Sequence, residues 1–82
     1  MDRLTKIKQM IIDSDPREIL SSDVDNGQPY LWISPPSDIQ LQLDILEMEE
    51  PEKYYEFLDW ESELTTEVQT QGYGVWKNGL NL

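Results

Sequence analysis

Five carboxylates, Glu52, Glu56, Asp59, Glu63 and Glu67, recur at intervals of four, three, four and four residues. Projected at 100° per residue they fall within an arc of about 80°, so a helix would present them as one stripe. Successive members would rise about 5 to 6 Å along the axis. Such an array can attract cations at several points at once, offering a basic groove what a run of phosphates would offer it. Tyr55 lies beside the stripe, with Trp60 close by, and both would add apolar contact. The competing reading is an ordinary solvated helix face. Like charges three or four residues apart cost a helix a few tenths of a kcal/mol each, so four successive pairs cost on the order of 1–2 kcal/mol. Alternating Glu with Lys would have kept the face hydrated without that cost. In a small domain whose whole stability is about 5–15 kcal/mol, the arrangement argues for a use.

A helix over residues 51–69 must carry the stripe. Pro51 suits its first turn, and Tyr54, Phe57, Trp60, Leu64 and Val68 share one apolar arc. Glu61 projects into that arc, so it must sit near the edge or find a partner. Upstream, Leu4, Ile7 and Ile11, with Met10 beside them, predict a helix over residues 3–13, with Arg3, Lys6 and Lys8 away from its apolar face. Asp15, Pro16 and Glu18 have the order of an N-cap, a first helical residue and a capping-box acid. They predict a second short turn ending near Ser21 or Ser22. Asn26-Gly27 marks a turn, and PYLWIS predicts a strand over residues 29–34 that Pro35 and Pro36 stop. In residues 38–48, Ile39, Leu41, Leu43 and Ile45 alternate with polar residues as in a half-buried strand, although Ser37 and Asp38 would equally cap a helix. The alternation favours strand. The tail GYGVWKNGLNL predicts a last strand through Val75 and Trp76 and a turn at Asn78-Gly79. Trp32 and Trp76, on strands, are expected in the core.

The whole is expected to be one small α+β domain of 82 residues. It would hold an N-terminal helix, a short antiparallel sheet over residues 29–46 joined by a C-terminal strand, and a long acidic helix packed on it. Apolar residues make up 38% and mean hydropathy is -0.61, so the core must rest on three Trp, four Tyr and one Phe. A core this lean near the lower size limit leaves room for a homodimer.

Composition also removes whole classes of chemistry. The chain has no Cys and no His, hence no thiolate, no disulfide and neither the commonest general base nor the commonest metal ligand. Asp23, Asp25 and Gly27 do not fit a calcium loop, because counting from Asp23 the glycine is fifth and the twelfth residue is Ser34. Glu49 with Glu50, or Asp59 with Glu63, would lie together on one surface rather than across a cleft, which glycosidic acid–base work requires. The expectation is a protein that is not an enzyme and needs no cofactor or metal. No apolar run approaches a membrane span, and MDRLTKIKQMIIDSD is too polar for a secretory leader, so a bacterial cytoplasm is the expected setting.

The formal charge of -11 is unevenly placed. Residues 1–17 hold four basic and three acidic residues, and residues 18–82 hold two basic and fourteen acidic. Such a chain should avoid nucleic acids and anionic membranes and should seek a basic protein surface. The expected role is inhibition of a nucleic-acid-binding protein or nuclease by the carboxylate stripe. In charge and size the chain resembles the phage-encoded inhibitors that include uracil-glycosylase inhibitor, anti-restriction and anti-CRISPR proteins. That resemblance is one of composition and implies a DNA-mimicking inhibitor. Two alternatives use the same residues differently. An antitoxin or immunity protein would offer the acidic helix to one cognate toxin, and an adaptor or subunit of a larger complex would bind through its aromatic side.

Overall fold

The computed structural model describes residues 2–81. Its first helix, α1 (Arg3–Ile12), begins where the Asp2 carboxylate accepts a hydrogen bond from Thr5 N at 2.8 Å. It buries Leu4, Ile7, Ile11 and Ile12 on one side. Asp15 then caps a single turn, α2 (Pro16–Ile19), by accepting from Arg17 N, and Ile19 enters the core.

The turn stops at Ile19, two to three residues earlier than expected, because the next residues belong to a strand. β1 (Leu20–Asp25) pairs antiparallel with β2 (Gln28–Ile33), from Leu20 opposite Ile33 to Asp25 opposite Gln28. Asn26 (φ 52°) and Gly27 (φ 80°) join them, both in the left-handed region that a type I′ hairpin turn demands. These two strands are the sheet.

Residues 38–48, expected as strand, belong instead to the helix α3 (Ser37–Glu49). Ile39, Leu43 and Leu46, spaced four and three apart, face the core, whereas Leu41 is 56% and Met48 81% exposed. The alternation was a coincidence of two patterns, and Leu46, which broke the strand pattern, completes the helical one. The sheet over residues 29–46 is therefore replaced by the hairpin at residues 20–33.

Glu50 and Pro51 turn the chain into α4 (Pro51–Gln71), two residues longer than expected and closed by Gly72 at φ 87°. Phe57, Trp60, Leu64, Thr65 and Val68 are buried beneath it.

The tail is a 3-10 helix (Tyr73–Asn81), not a strand. Trp76 is buried as expected, its indole N–H donating to the carbonyls of Ile12 (3.2 Å) and Ser14 (3.1 Å) at the end of α1. The Trp60 indole donates to Gly79 O at 2.7 Å. A Cβ at Gly79 would stand 2.7 Å from Ile12 Cδ1 and 3.3 Å from Leu64 and Trp60, so a larger residue would force these packed side chains to shift for the tail to lie this close to α1 and α4. These anchors hold the tail on the helices, away from a sheet edge where it could have become a strand.

The molecule is thus an α+β domain in which an N-terminal helix, a two-stranded antiparallel sheet and a long acidic helix share a core with α3 and the tail.

Candidate interaction surfaces

Burial of Phe57, Trp60, Leu64 and Val68 fixes the rotation of α4, and with it the direction of the carboxylates. Glu52, Glu56, Asp59 and Glu63 are all exposed, and Glu67 is half-buried. The first four span about 16 Å of helix. Tyr55, 67% exposed, stands beside them. Trp60, expected to add contact area, is buried and committed to Gly79.

Few cations neutralise the stripe. Lys53 Nζ lies 3.9 Å from Glu56 and 4.0 Å from Asp2, both exposed and weak contacts. Among the described residues, no lysine or arginine side-chain nitrogen comes within 4.0 Å of the carboxylate oxygens of Glu52, Asp59, Glu63 or Glu67. Two of the three basic residues of α1 are turned elsewhere: Lys8 lies 5.6 Å above the Trp60 ring, and Arg3 reaches Gln42 at 2.7 Å and Glu49 at 3.7 Å. Thus α1 touches the acidic body along α3 and the buried side of α4, and leaves the stripe unpaired.

Glu61, the acid that projected into the apolar arc, has found its partner. Its Oε2 accepts from Ile33 N at 3.2 Å. Burial pushes its carboxyl above the ordinary range, and the bond from Ile33 works in the opposite direction with smaller effect. Tyr54, packed against the core, has its hydroxyl pushed up by burial first and by the carboxylates of Glu47, Glu61 and Asp44 after that.

A second surface was not expected. Trp32 is 36% and Tyr30 43% exposed, their ring centroids 5.3 Å apart. Residues directly opposite in a hairpin share a face, so the register puts Ser21, Asp23, Asp25, Gln28, Tyr30 and Trp32 together on its outer side. Leu31 and Ile33, on the inner side, pack on the core. Trp32 was expected to be buried. With α3 helical, no further strand or layer among the described residues covers this face, and both rings remain at the surface. The alternation of Tyr30 and Trp32 with Leu31 and Ile33 was the available signal.

Among the described residues, no group of three or more acids converges as a metal site would need, and no helix is long and apolar enough to cross a membrane. Open grooves of about 250–320 Å³ lie at the surface of the described residues, among them one lined by Leu31, Val68 and Tyr73 beneath the hairpin. No protein family matches the chain, and neither a curated relative nor a solved structure matches it.

Proposed function

We propose that this protein is an inhibitor that occupies the phosphate-binding groove of a basic, nucleic-acid-handling protein with the exposed face of α4. The observation that carries the reading is the run of Glu52, Glu56, Asp59 and Glu63, held in one line by the buried side of the helix and left almost without counter-charges. Carboxylates fixed in this way lose little freedom on docking and attract a basic groove from a distance. Glu67 extends the line at its half-buried end, and Tyr55 supplies a ring at its margin. A cognate toxin of nuclease type would meet the same face.

The test is a triple reversal, Glu56→Lys, Asp59→Lys and Glu63→Lys, compared with the wild type in capture from a nuclease-treated bacterial lysate. The wild type should retain a nucleic-acid-binding protein that added duplex DNA displaces. The variant should bind that protein at least about a hundredfold more weakly, a loss of about 2.8 kcal/mol or more, with unchanged helical circular dichroism. Affinity should fall steeply with salt. Equal capture by a folded triple variant would sink the reading and would favour the adaptor alternative, for which the exposed Tyr30 and Trp32 are the observation in hand.

A further inference from the structure

The hairpin has two edges, and they are in different states. Pro29 has no N–H, so its pair with Val24 is one of the non-bonded pairs of the ladder. Counting by twos, Ser22–Leu31 and Leu20–Ile33 are non-bonded as well, and the backbone groups of all six residues point away from the partner strand. On the β2 side two of these groups bond to side chains of α4, where Gln69 Nε2 donates to Pro29 O and Ile33 N donates to Glu61, and Leu31 between them is covered because α4 packs along the strand. On the β1 side Leu20 N donates to Pro16 O, and Val24 N donates to the carboxylate of Asp23 at 2.8 Å. No hydrogen bond among the described residues uses Ser22 N–H, Ser22 C=O or Val24 C=O. Ser22, Asp23 and Val24 are exposed.

Charge decides what could pair there. From Glu18 to Glu52 the chain contains no lysine or arginine, and Arg17, the last cation before the hairpin, lies over the Tyr73 ring. Asp23 and Asp25 project from β1 on the same face as Tyr30 and Trp32. A second copy adding through its own β1 would bring the aspartates of both chains together, which is unfavourable. A strand carrying arginines would set a guanidinium beside Asp23. Across short Ser21 the Trp32 ring is about 10 Å away, two strand spacings, within reach of an arginine stem and its stacking plane.

We propose that the β1 edge and the outer face of the hairpin form a docking strip for an extended, arginine-bearing segment of a partner protein, which adds to β1 as a third strand. This strip is separate from the acidic face of α4 and does not depend on the role given to that face. Main-chain bonds at Ser22 and Val24 supply attachment, and the aspartates and aromatic rings select arginine at alternate positions.

The probe is an acetylated and amidated peptide, (Arg-Thr)4, with (Lys-Thr)4 as its control, followed by amide NMR and hydrogen exchange on the full chain. The arginine peptide should shift the amides of residues 21–25 and the Trp32 indole, and exchange at the Ser22 amide should slow. Trp32→Ser should weaken it about fivefold, and the lysine peptide should bind weaker by a similar factor. Ser22→Pro, which removes an outward N–H and leaves the ladder to β2 whole, should weaken it comparably. The α4 triple reversal should keep the Ser22 signature, so failure of one surface is distinguishable from failure of the other. Three results would overturn the proposal: no binding, shifts confined to Glu52, Glu56, Asp59 and Glu63 with Ser22 exchange unchanged, or slow Ser22 exchange without peptide in a protein of dimer mass.

Discussion

The exposed side of α4 and the outer face of the hairpin both meet solvent, but for opposite physical reasons. Glu52, Glu56, Asp59 and Glu63 are outside because ionised carboxylates are costly to bury, and the helix rotates to bury Phe57, Trp60, Leu64 and Val68 instead. Tyr30 and Trp32 are outside although their burial would be favourable, because the architecture supplies no layer to cover them. An exposed carboxylate is the resting condition of a helix surface, whereas a paired Tyr and Trp on a strand is an unmet opportunity for burial. The two faces therefore differ in what they would contribute to a complex: long-range attraction and fast encounter from α4, short-range contact from the hairpin.

The largest perturbation should remove the difference altogether. Leu64 is fully buried between α4 and the rest of the core, and Leu64→Ala should cost about 3 kcal/mol. Thermal melting should show a large drop in Tm, and both faces should lose their binding together, because both depend on the same packed frame. A smaller change should separate them. Gly27→Ala places a Cβ at φ 80°, in open space but in a strained backbone, at about 1 kcal/mol. The hairpin amides should then exchange faster while α4 keeps its protection; uniform loss would mean that the hairpin and α4 unfold as one unit.

The smallest effect tests the bond that joins the two regions. Glu61 has a raised pKa in the folded protein, so its protonation favours folding, and this contribution is lost as pH rises through the folded value. Glu61→Gln keeps an acceptor for Ile33 N and removes the half-buried charge. The variant should be slightly more stable than the wild type at pH 7, by less than about 1 kcal/mol. Its advantage should fade as the pH falls through the raised folded-state value of Glu61, below which the wild-type carboxyl is neutral as well. Denaturant melts at several pH values would measure this, and a constant difference across the range would show that the carboxylate is not desolvated as the structure implies.

Much of the frame was legible from spacing. Leu4, Ile7 and Ile11 in α1, and Phe57, Trp60 and Leu64 in α4, follow helical periods with no competing pattern, and Asn26-Gly27 has few alternatives to a hairpin turn. The misplaced Glu61 was visible too, because a charge in an apolar arc needs an explanation wherever the helix packs. What failed was set by neighbours. Ser21, Ser22, Asp23 and Asp25 have little intrinsic strand preference, and β1 exists because β2 pairs with it. Ile39 and Leu43 were hidden within an alternation that Leu41 and Ile45 happened to complete, and Leu46, just past it, departed from the strand pattern. Trp76 was assigned to the core correctly but to the wrong backbone, since nothing local says that its N–H must reach the end of α1. The exposure of Trp32 follows from which layers exist, and the number of layers changed once α3 became a helix.

The bonds from α4 to β2 carry one more consequence. Linear growth of a sheet requires each added unit to present a fresh edge after it has used one. Here α4 lies along the far edge of the hairpin, bonded to it through Glu61 and Gln69, so whatever adds to β1 completes the sheet and meets no second open edge on this chain. In polymer terms this chain is a terminator with a single reactive end: any assembly through its strands closes at one partner, and a protein with an unpaired edge and exposed aromatic rings is thereby kept from stacking into fibres of itself.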